Sequence, residues 1–245
     1  MFNLRNIAII AASLTAVACV TNAEADGPYD GTITFTNVRA WGGNGEGGPF
    51  AVTGNPSSLH AATGQYGAES NGFITFCIER NETIREGWTY DVRLNSMAVN
   101  GGVSGGNPDP LDERTAFLYT KFVMGTLESD FNAWAGSDKT FTYMSANSGL
   151  ALQDAIWTIE GEDPAFKQKA LALDLVAWAD EAVALGGEWY GMGLGSVRVM
   201  NLYRNGEHHQ DQLTFVPLPA PLVLAGAGLA GVGFLRRRRN LLDNA

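Results

Sequence analysis

Apolar and β-branched side chains recur with strand-like spacing in the first third of the chain. Residues 31–38 and 73–78 are rich in β-branched and aromatic side chains, and residues 88–94 alternate between apolar and polar positions. These patterns predict three strands. Two Gly-rich stretches, 42–48 and 100–107, are predicted to be loops. Neither has the strand-loop-helix context or the Lys-Ser/Thr pair of a phosphate-binding loop.

The apolar positions change to a helical period in the middle of the chain, which predicts three helices. The predicted helices are residues 115–124, capped by Asp112 or Asp109 and closed near Gly125; residues 149–160, begun by Ser148 and closed near Gly161; and a segment from Pro164 to about Leu185. Strand-like patterns return at residues 196–203 and 212–216.

The order of strands, helices and strands predicts one α+β domain over residues 26–215. In this prediction the β-rich N- and C-terminal strands share a sheet, and the middle segment is helical. About 190 residues are enough to bury one good-sized hydrophobic core.

The N-terminal segment, residues 1–25, has the pattern of a secretory signal peptide. Arg5 precedes an apolar run at residues 7–20, and Ala23-Glu24-Ala25 places small residues where signal peptidase needs them, which predicts cleavage before Asp26. Cleavage after Thr21-Asn22-Ala23 is the alternative. A run of 14 residues is short for a membrane helix, which needs about 20. A lipidated Cys19 is the remaining alternative, but the usual Leu three residues earlier is missing.

The C-terminal segment, residues 216–245, has the pattern of a membrane anchor. Residues 216–235 carry no charge, and Arg236, Arg237, Arg238 and Arg239 follow directly. An apolar stretch of this length predicts a transmembrane helix over about 217–235, with the arginines held in the cytoplasm. A buried soluble helix would not end in four consecutive guanidinium groups.

The region between the two ends is acidic. Without Arg5 and the four tail arginines, 11 of the 16 Lys and Arg remain, and without Glu24 and Asp243, 24 of the 26 Asp and Glu remain. The net charge of residues 26–215 is therefore near −13. Nucleic acids require cationic patches, so no nucleic-acid partner is predicted.

Cys77 is the single cysteine of residues 26–215. An unpaired thiol is unusual in an exported protein, because the compartment favours pairing. Three alternatives follow from the residues alone. Cys77 is a small buried hydrophobic residue, it bridges to another chain, or it is chemically consumed inside its own domain.

Gln153 lies beside the apolar face of a predicted helix. Leu152, Ile156 and Ile159 recur there at helical spacing, and Trp157 follows Gln153 by one turn. A glutamine near the start of a helix is also compatible with capping or with a surface position, so this pattern by itself assigns no function.

Taken together, Phe76-Cys77-Ile78-Glu79 and residues 152–157 resemble the two motifs of the thioester domains of surface adhesins. In that family the motifs are an aromatic-Cys-aliphatic strand and a helical hydrophobic-Gln-x-x-aliphatic pattern, often ending in Ala-Ile-Trp. The resemblance covers roughly residues 30–215 and extends to the Ala116-Phe117-Leu118-Tyr119 helix. It implies that the Cys77 sulfur and the Gln153 side-chain carbonyl join as an internal thioester and release ammonia.

A thioester is an activated acyl group that needs apolar cover against water, and Phe76, Trp157 and Tyr119 are the predicted shielding residues. The resemblance implies that a Lys amine or a hydroxyl of an extracellular surface or matrix takes the acyl group and frees the thiol. Each molecule would attach once, without turnover. The protein is therefore predicted to be an adhesin, not an enzyme, with no catalytic residue and no cofactor.

The tail resembles the VPLPA variant of the PEP-CTERM sorting signals. The resemblance rests on the motif, the apolar run and the arginine cluster, whose residues are Val216, Pro217, Leu218, Pro219, Ala220, Arg236, Arg237, Arg238 and Arg239. It implies a Gram-negative host, an inner-membrane precursor, processing by an exosortase near the motif, and transfer to the cell surface or extracellular matrix. The prolines keep the motif extended ahead of the helix.

Two other functional classes are weighed against the adhesin. One is a structural biofilm or matrix protein of the same fold, with an inert buried Cys77. The other is a secreted hydrolase, but the chain has no Gly-x-Ser-x-Gly elbow and no Ser/His/Asp arrangement of the required kind.

No metal site is predicted. His208 and His209 are adjacent near a strand start, and adjacent strand residues point to opposite faces, so they cannot share one ion. Glu160, Glu162 and Asp163 are interpreted as a solvated turn after a helix and not as an acid/base pair.

Overall fold

A computed structural model describes residues 29–42, 47–55, 59, 72–136, 139–162 and 166–216. The predicted signal peptide and the sorting segment after Val216 lie outside these residues, as do His60, Asp163 and Pro164. No helix in the described ranges is both long enough and apolar enough to span a bilayer.

The described residues form an α+β fold, in agreement with the predicted class. The strands are β1 (Gly31–Asn37), β2 (Phe50–Asn55), β3 (Gly72–Thr75), β4 (Thr89–Asn95), β5 (Met97–Ala98), β6 (Asp109–Pro110), β7 (Val197–Arg204) and β8 (Glu207–Phe215). The helices are α1 (Glu113–Val123), α2 (Leu127–Ala135), α3 (Ala146–Ile159) and α4 (Lys169–Val183).

Six strands form one antiparallel sheet in the order β3-β2-β1-β4-β7-β8, and β5 pairs with β6. The first and last strands of the domain share this sheet, as predicted, with the four helices between β6 and β7 along the chain. One buried cluster joins the helices to the sheet, and a second is built mainly on β1, β2, β4 and β7. Cys77 and Trp157 belong to the second cluster.

The start of α1 was predicted more accurately than the starts of α3 and α4. Asp112 caps it, because its Oδ1 accepts a hydrogen bond from the Arg114 backbone N–H at 2.8 Å. The alternative prediction, Asp109 as the cap, is wrong, because Asp109 lies in β6 and pairs with Ala98 of β5.

Helix α3 starts earlier than predicted, and helix α4 starts later. Helix α3 begins at Ala146, before Ser148, whose Oγ instead accepts from the Thr142 backbone N–H at 2.9 Å. Helix α4 begins only at Lys169, and the Lys167 and Gln168 N–H groups before it donate to Asp154 Oδ2 at 2.7 and 3.0 Å. A side-chain carboxylate thus receives N–H groups of the segment that leads into α4.

Several strand predictions also need correction. Regular pairing ends at Thr75 and not at Ile78, and Cys77 opposes Gln212 in an isolated antiparallel bridge. Strand β8 begins at Glu207, earlier than the predicted residue 212. Its first half is polar, and the polar side chains find partners inside the fold: the Asn201 side chain, for example, donates to Asp211 Oδ2 at 2.9 Å.

Strand β2 and helix α2 were not predicted, nor were the two-residue strands β5 and β6. Strand β2 ends in Gly54-Asn55, residues that usually mark turns, and only its first half is buried. Helix α2 buries only Leu127 and Phe131. Such a narrow apolar stripe gives little helical periodicity.

The interpretation of Glu160 and Glu162 as a solvated turn is wrong, because both are at least nine-tenths buried. Glu160 Oε1 accepts hydrogen bonds from the Thr115 hydroxyl and from the Asp112 N–H. Glu162 accepts from the backbone N–H groups of Arg80 and Val103 at 2.8 and 3.0 Å. The two carboxyl groups therefore tie the end of α3 to α1 and to two loops.

Replacing Glu160 with glutamine is expected to change how stability depends on pH. Burial raises the pKa of Glu160 from 4.5 to about 8, so the folded chain binds a proton that the unfolded chain releases between these values. The contribution of Glu160 to the free energy of unfolding therefore falls as the pH rises through that window, by roughly 1.4 kcal/mol per pH unit. The Glu160→Gln variant lacks this dependence. Urea unfolding from about pH 5 to pH 8 measures it, and parallel curves for the native chain and the variant would contradict it.

Candidate functional site

Cys77 and Gln153, the two predicted thioester residues, lie together in the fold. Cys77 follows β3 and is fully buried, and Gln153 is on α3 with 1% of its surface exposed. Helix α3 packs Leu152 and Ile156 into the core, which turns Gln153 toward the strand segment that carries Cys77.

The Gln153 carboxamide is hydrogen-bonded to both the backbone N–H and the backbone carbonyl of Cys77. The Cys77 backbone N–H donates to Gln153 Oε1 at 2.9 Å, and Gln153 Nε2 donates to the Cys77 carbonyl at 2.9 Å. Two bonds on one carboxamide fix both its position and the orientation of its plane.

A second backbone N–H points at the same oxygen. The Gly48 N–H donates to Gln153 Oε1 at 2.7 Å, so this oxygen accepts two backbone N–H groups. Paired N–H donors on one carbonyl oxygen polarise the carbonyl, and they stabilise negative charge that develops on the oxygen.

Gly47 and Gly48 approach the carboxamide more closely than any larger residue could. A Cβ on Gly48 would lie 3.0 Å from Gln153 Oε1, and one on Gly47 would lie 2.9 Å from Gln153 Cγ. Gly47 also has a φ of +102°, which residues with a Cβ rarely adopt. The backbone at Gly47 and Gly48 therefore fits closely against Gln153.

The Cys77 sulfur is enclosed and is contacted by another glutamine. Gln212 Nε2 donates to Cys77 Sγ at 3.3 Å. Burial raises the pKa of the Cys77 thiol far above its ordinary value, while the hydrogen bond from Gln212 and the Gly48 N–H act in the opposite direction. The thiol is therefore neutral at neutral pH.

A cavity of about 420 Å³ adjoins Gln153. Its lining includes Phe50, Arg80, Glu82, Gln153, Asp154 and Trp157. Burial alone would raise the pKa of Glu82, but hydrogen bonds from His208 and Asn100 outweigh it and lower that pKa. The cavity wall thus carries both apolar and charged groups.

The three predicted shielding residues occupy different places. Trp157 is 6% exposed, lies in one buried cluster with Cys77 and lines the cavity beside Gln153. The Phe76 ring lies next to Gly48, where a Cβ would be 2.9 Å from Phe76 Cδ1 and 3.0 Å from Gln153 Oε1. Tyr119 packs behind Phe76 with the ring centroids 6.4 Å apart, and its hydroxyl donates to the Ile74 carbonyl. Trp157 and Phe76 thus touch the site directly, and Tyr119 supports Phe76.

His208 and His209 contact different partners. His208 is bonded to Asp211 Oδ1 at 2.8 Å and to Glu82 at 3.4 Å, while the His209 ring packs on Tyr90. Burial lowers the pKa of His208, but the two carboxylates outweigh burial and raise it to about 9. The described residues include no group of three or more His, Cys, Asp or Glu that could hold a metal ion.

The sequence pattern predicted neither of two contacts of the site, those of the Gly48 N–H and of the Gln212 side chain. Neither residue type marks a site by itself. The Gly-rich stretch at 42–48 was the available signal for Gly48, because glycine permits close backbone approach. Gln212 gave none, since its partner is 135 residues away.

Of the predicted sorting residues, only Val216 is described. Its N–H donates to the Ser196 carbonyl at 2.8 Å, directly after the last strand of the sheet. The remaining residues of the motif and the arginine cluster lie outside the described residues.

Comparison with known proteins gives no match: no family model, no curated protein and no solved structure matches this chain.

Proposed function

We propose that this protein is an exported surface or matrix protein whose domain attaches covalently to its target through a thioester between Cys77 and Gln153. One observation carries the proposal. The Gln153 carboxamide is hydrogen-bonded to both the N–H and the carbonyl of Cys77, and its oxygen also accepts the Gly48 N–H. An amide is a poor electrophile, and it reacts only when its partner is held in place.

These contacts support a route to the thioester. The Cys77 sulfur attacks Gln153 Cδ, and the negative charge of the tetrahedral intermediate develops on Oε1, where the two N–H groups stabilise it. The C–N bond breaks, and the thiol proton leaves with the amide nitrogen as ammonia. The products are one thioester and one ammonia.

The attachment reaction uses the cavity beside Gln153. An amine or hydroxyl of the target enters it, attacks the thioester carbonyl and forms an amide or ester, and the sulfur leaves as the Cys77 thiol. Trp157 and Phe50 in the cavity wall restrict water until the target arrives. Because the bond is not regenerated, each molecule attaches once.

Export and sorting belong to the same proposal. The signal-like segment at residues 1–25 and the VPLPA-type tail at residues 216–245 would deliver the domain through the inner membrane, with processing by an exosortase. A covalent attachment domain has its use at a surface or in a matrix, so the two parts of the proposal agree.

A second function is favoured by one observation, the enclosure of the thiol. Cys77 is fully buried and its pKa is raised, as for an inert core cysteine, and the Gln153 bonds also suit an ordinary structural clamp. In that case the protein is a structural matrix component of the same fold.

Intact-mass measurement distinguishes these functions. The purified chain is expected to be lighter than its sequence by one ammonia, and methylamine should add its own mass to the chain and free a titratable thiol. The matched variant is Gln153→Glu, which keeps the size of the side chain but has no ammonia to lose. It is expected to show its full sequence mass. A native chain of full mass with an unreacted thiol would rule out the thioester and favour the structural protein.

A further inference from the structure

We infer that Gln212 is a second functional glutamine of this site, which donates a hydrogen bond to the Cys77 sulfur and stabilises it as the thiolate when the thioester opens. The inference rests on the proposed thioester and adds a residue that acts on the sulfur and not on the carbonyl. It is carried by the direct contact of Gln212 Nε2 with Cys77 Sγ at 3.3 Å.

The backbone holds the two residues directly opposite each other. The Ile78 N–H donates to the Asp211 carbonyl at 3.1 Å, and the Leu213 N–H donates to the Phe76 carbonyl at 3.1 Å. These bonds flank the Cys77–Gln212 bridge, so the pair itself exchanges no backbone hydrogen bond. Such pairs have the closest side chains of an antiparallel ladder. The contact with the sulfur therefore follows from the register.

The donor end of the carboxamide lies at the sulfur. Gln212 is fully buried, its Nε2 faces Cys77 Sγ, and its Oε1 lies on the other side, 3.5 Å from the Thr75 hydroxyl, which itself donates to the Leu213 carbonyl at 2.7 Å. A thioester or thiolate sulfur has no proton to donate, so only the NH₂ end of Gln212 can bond to it. A neutral thioether-like sulfur is a weak acceptor, whereas a charged acceptor makes a much stronger hydrogen bond. The contact therefore stabilises the departing thiolate more than the intact thioester.

A thiolate at Cys77 needs a hydrogen-bond donor, because its surroundings are apolar. The sulfur is fully buried and belongs to a cluster with apolar residues such as Phe50 and Met200. A thiolate leaving into such surroundings needs a donor in place. The same hydrogen bond lowers the pKa of the Cys77 thiol, so Gln212 also eases the loss of the thiol proton during formation.

The test is the rate at which hydroxylamine opens the thioester, followed by intact mass on the native chain and on the Gln212→Leu and Gln212→Glu variants. Hydroxylamine stays nucleophilic in weakly acidic solution, so a pH series is accessible. Gln212→Leu is expected to react about 10- to 100-fold more slowly, the value of a hydrogen bond to a charged group. Gln212→Glu should react faster than Gln212→Leu while its buried carboxyl is protonated and should slow as the pH rises and the carboxyl ionises, because only the protonated carboxyl donates.

Thr214→Val is the matched control, because Thr214 is equally buried on the same strand and its hydroxyl donates to the Leu59 carbonyl. It should react at the native rate. Loss of the thioester in both Gln212 variants, with the control intact and all chains folded by circular dichroism, would also support the inference. Native rates and a native pH profile in both variants would overturn it while leaving the proposed function standing. Absence of ammonia loss in the native chain would overturn both.

Discussion

Replacement of Trp157 with alanine is expected to have a large effect on both stability and the lifetime of the thioester. Trp157 is 6% exposed and belongs to the buried cluster that contains Cys77. Removing so large a buried side chain costs about 3–5 kcal/mol of unfolding free energy. The space it leaves would join the cavity beside Gln153 and admit water to the acyl group. Urea unfolding and the loss of thioester mass with time in buffer measure the two effects.

The Trp157→Phe variant distinguishes the exclusion of water from the thioester from the loss of fold stability. Phenylalanine keeps an aromatic ring over the site, and the lost indole Nε1 has no hydrogen-bond partner among the described residues. We therefore expect Trp157→Phe to retain the thioester for much longer than Trp157→Ala. Equal hydrolysis rates in the native chain and in Trp157→Ala would show that Trp157 does not exclude water from the bond.

Replacement of Gly47 with alanine is expected to abolish or strongly reduce thioester formation, although it leaves Cys77 and Gln153 unchanged. The new Cβ would lie 2.5 Å from Trp157 Cη2 and 2.9 Å from Gln153 Cγ, both too close, at a φ of +102°. Relief of these clashes must move the loop or the two side chains. The Gly48 N–H would then no longer be aligned with Gln153 Oε1. The fraction of the purified chain that lacks one ammonia measures the effect.

Gly186→Ala is the control for backbone strain. Gly186 has a φ of +88°, but no atom lies within 4 Å of the position of a Cβ there. Both variants should lose roughly 1–3 kcal/mol from the strained backbone, but only Gly47→Ala should lose the thioester. A full ammonia loss in Gly47→Ala would contradict the requirement for a close backbone at this position.

The sequence predicted some residues of the site and of the fold but not others, and the difference depends on how far apart the contacting residues lie along the chain. Cys77 and Gln153 were predicted to pair because the short patterns around them, an aromatic-Cys-aliphatic strand and an apolar helical stripe with a glutamine, together resemble the two motifs of thioester domains. The polar start of β8 was missed because its side chains are satisfied by partners distant in sequence, such as the Gln210 side chain bonded to the Glu79 carbonyl. The burial of Glu160 was missed for the same reason, since Thr115 lies 45 residues before it.

The sequence by itself determined the α+β class and most of the strand and helix positions, because these depend on periodicity and on neighbouring residues. Only the tertiary structure decided what surrounds the Cys77–Gln153 pair. The Gly48 N–H lies 105 residues from Gln153 and Gln212 lies 135 residues from Cys77 along the chain, and both contacts arise from strand register and loop closure. Local patterns do not encode such pairings, because the side chains that meet are chosen by packing across the whole domain.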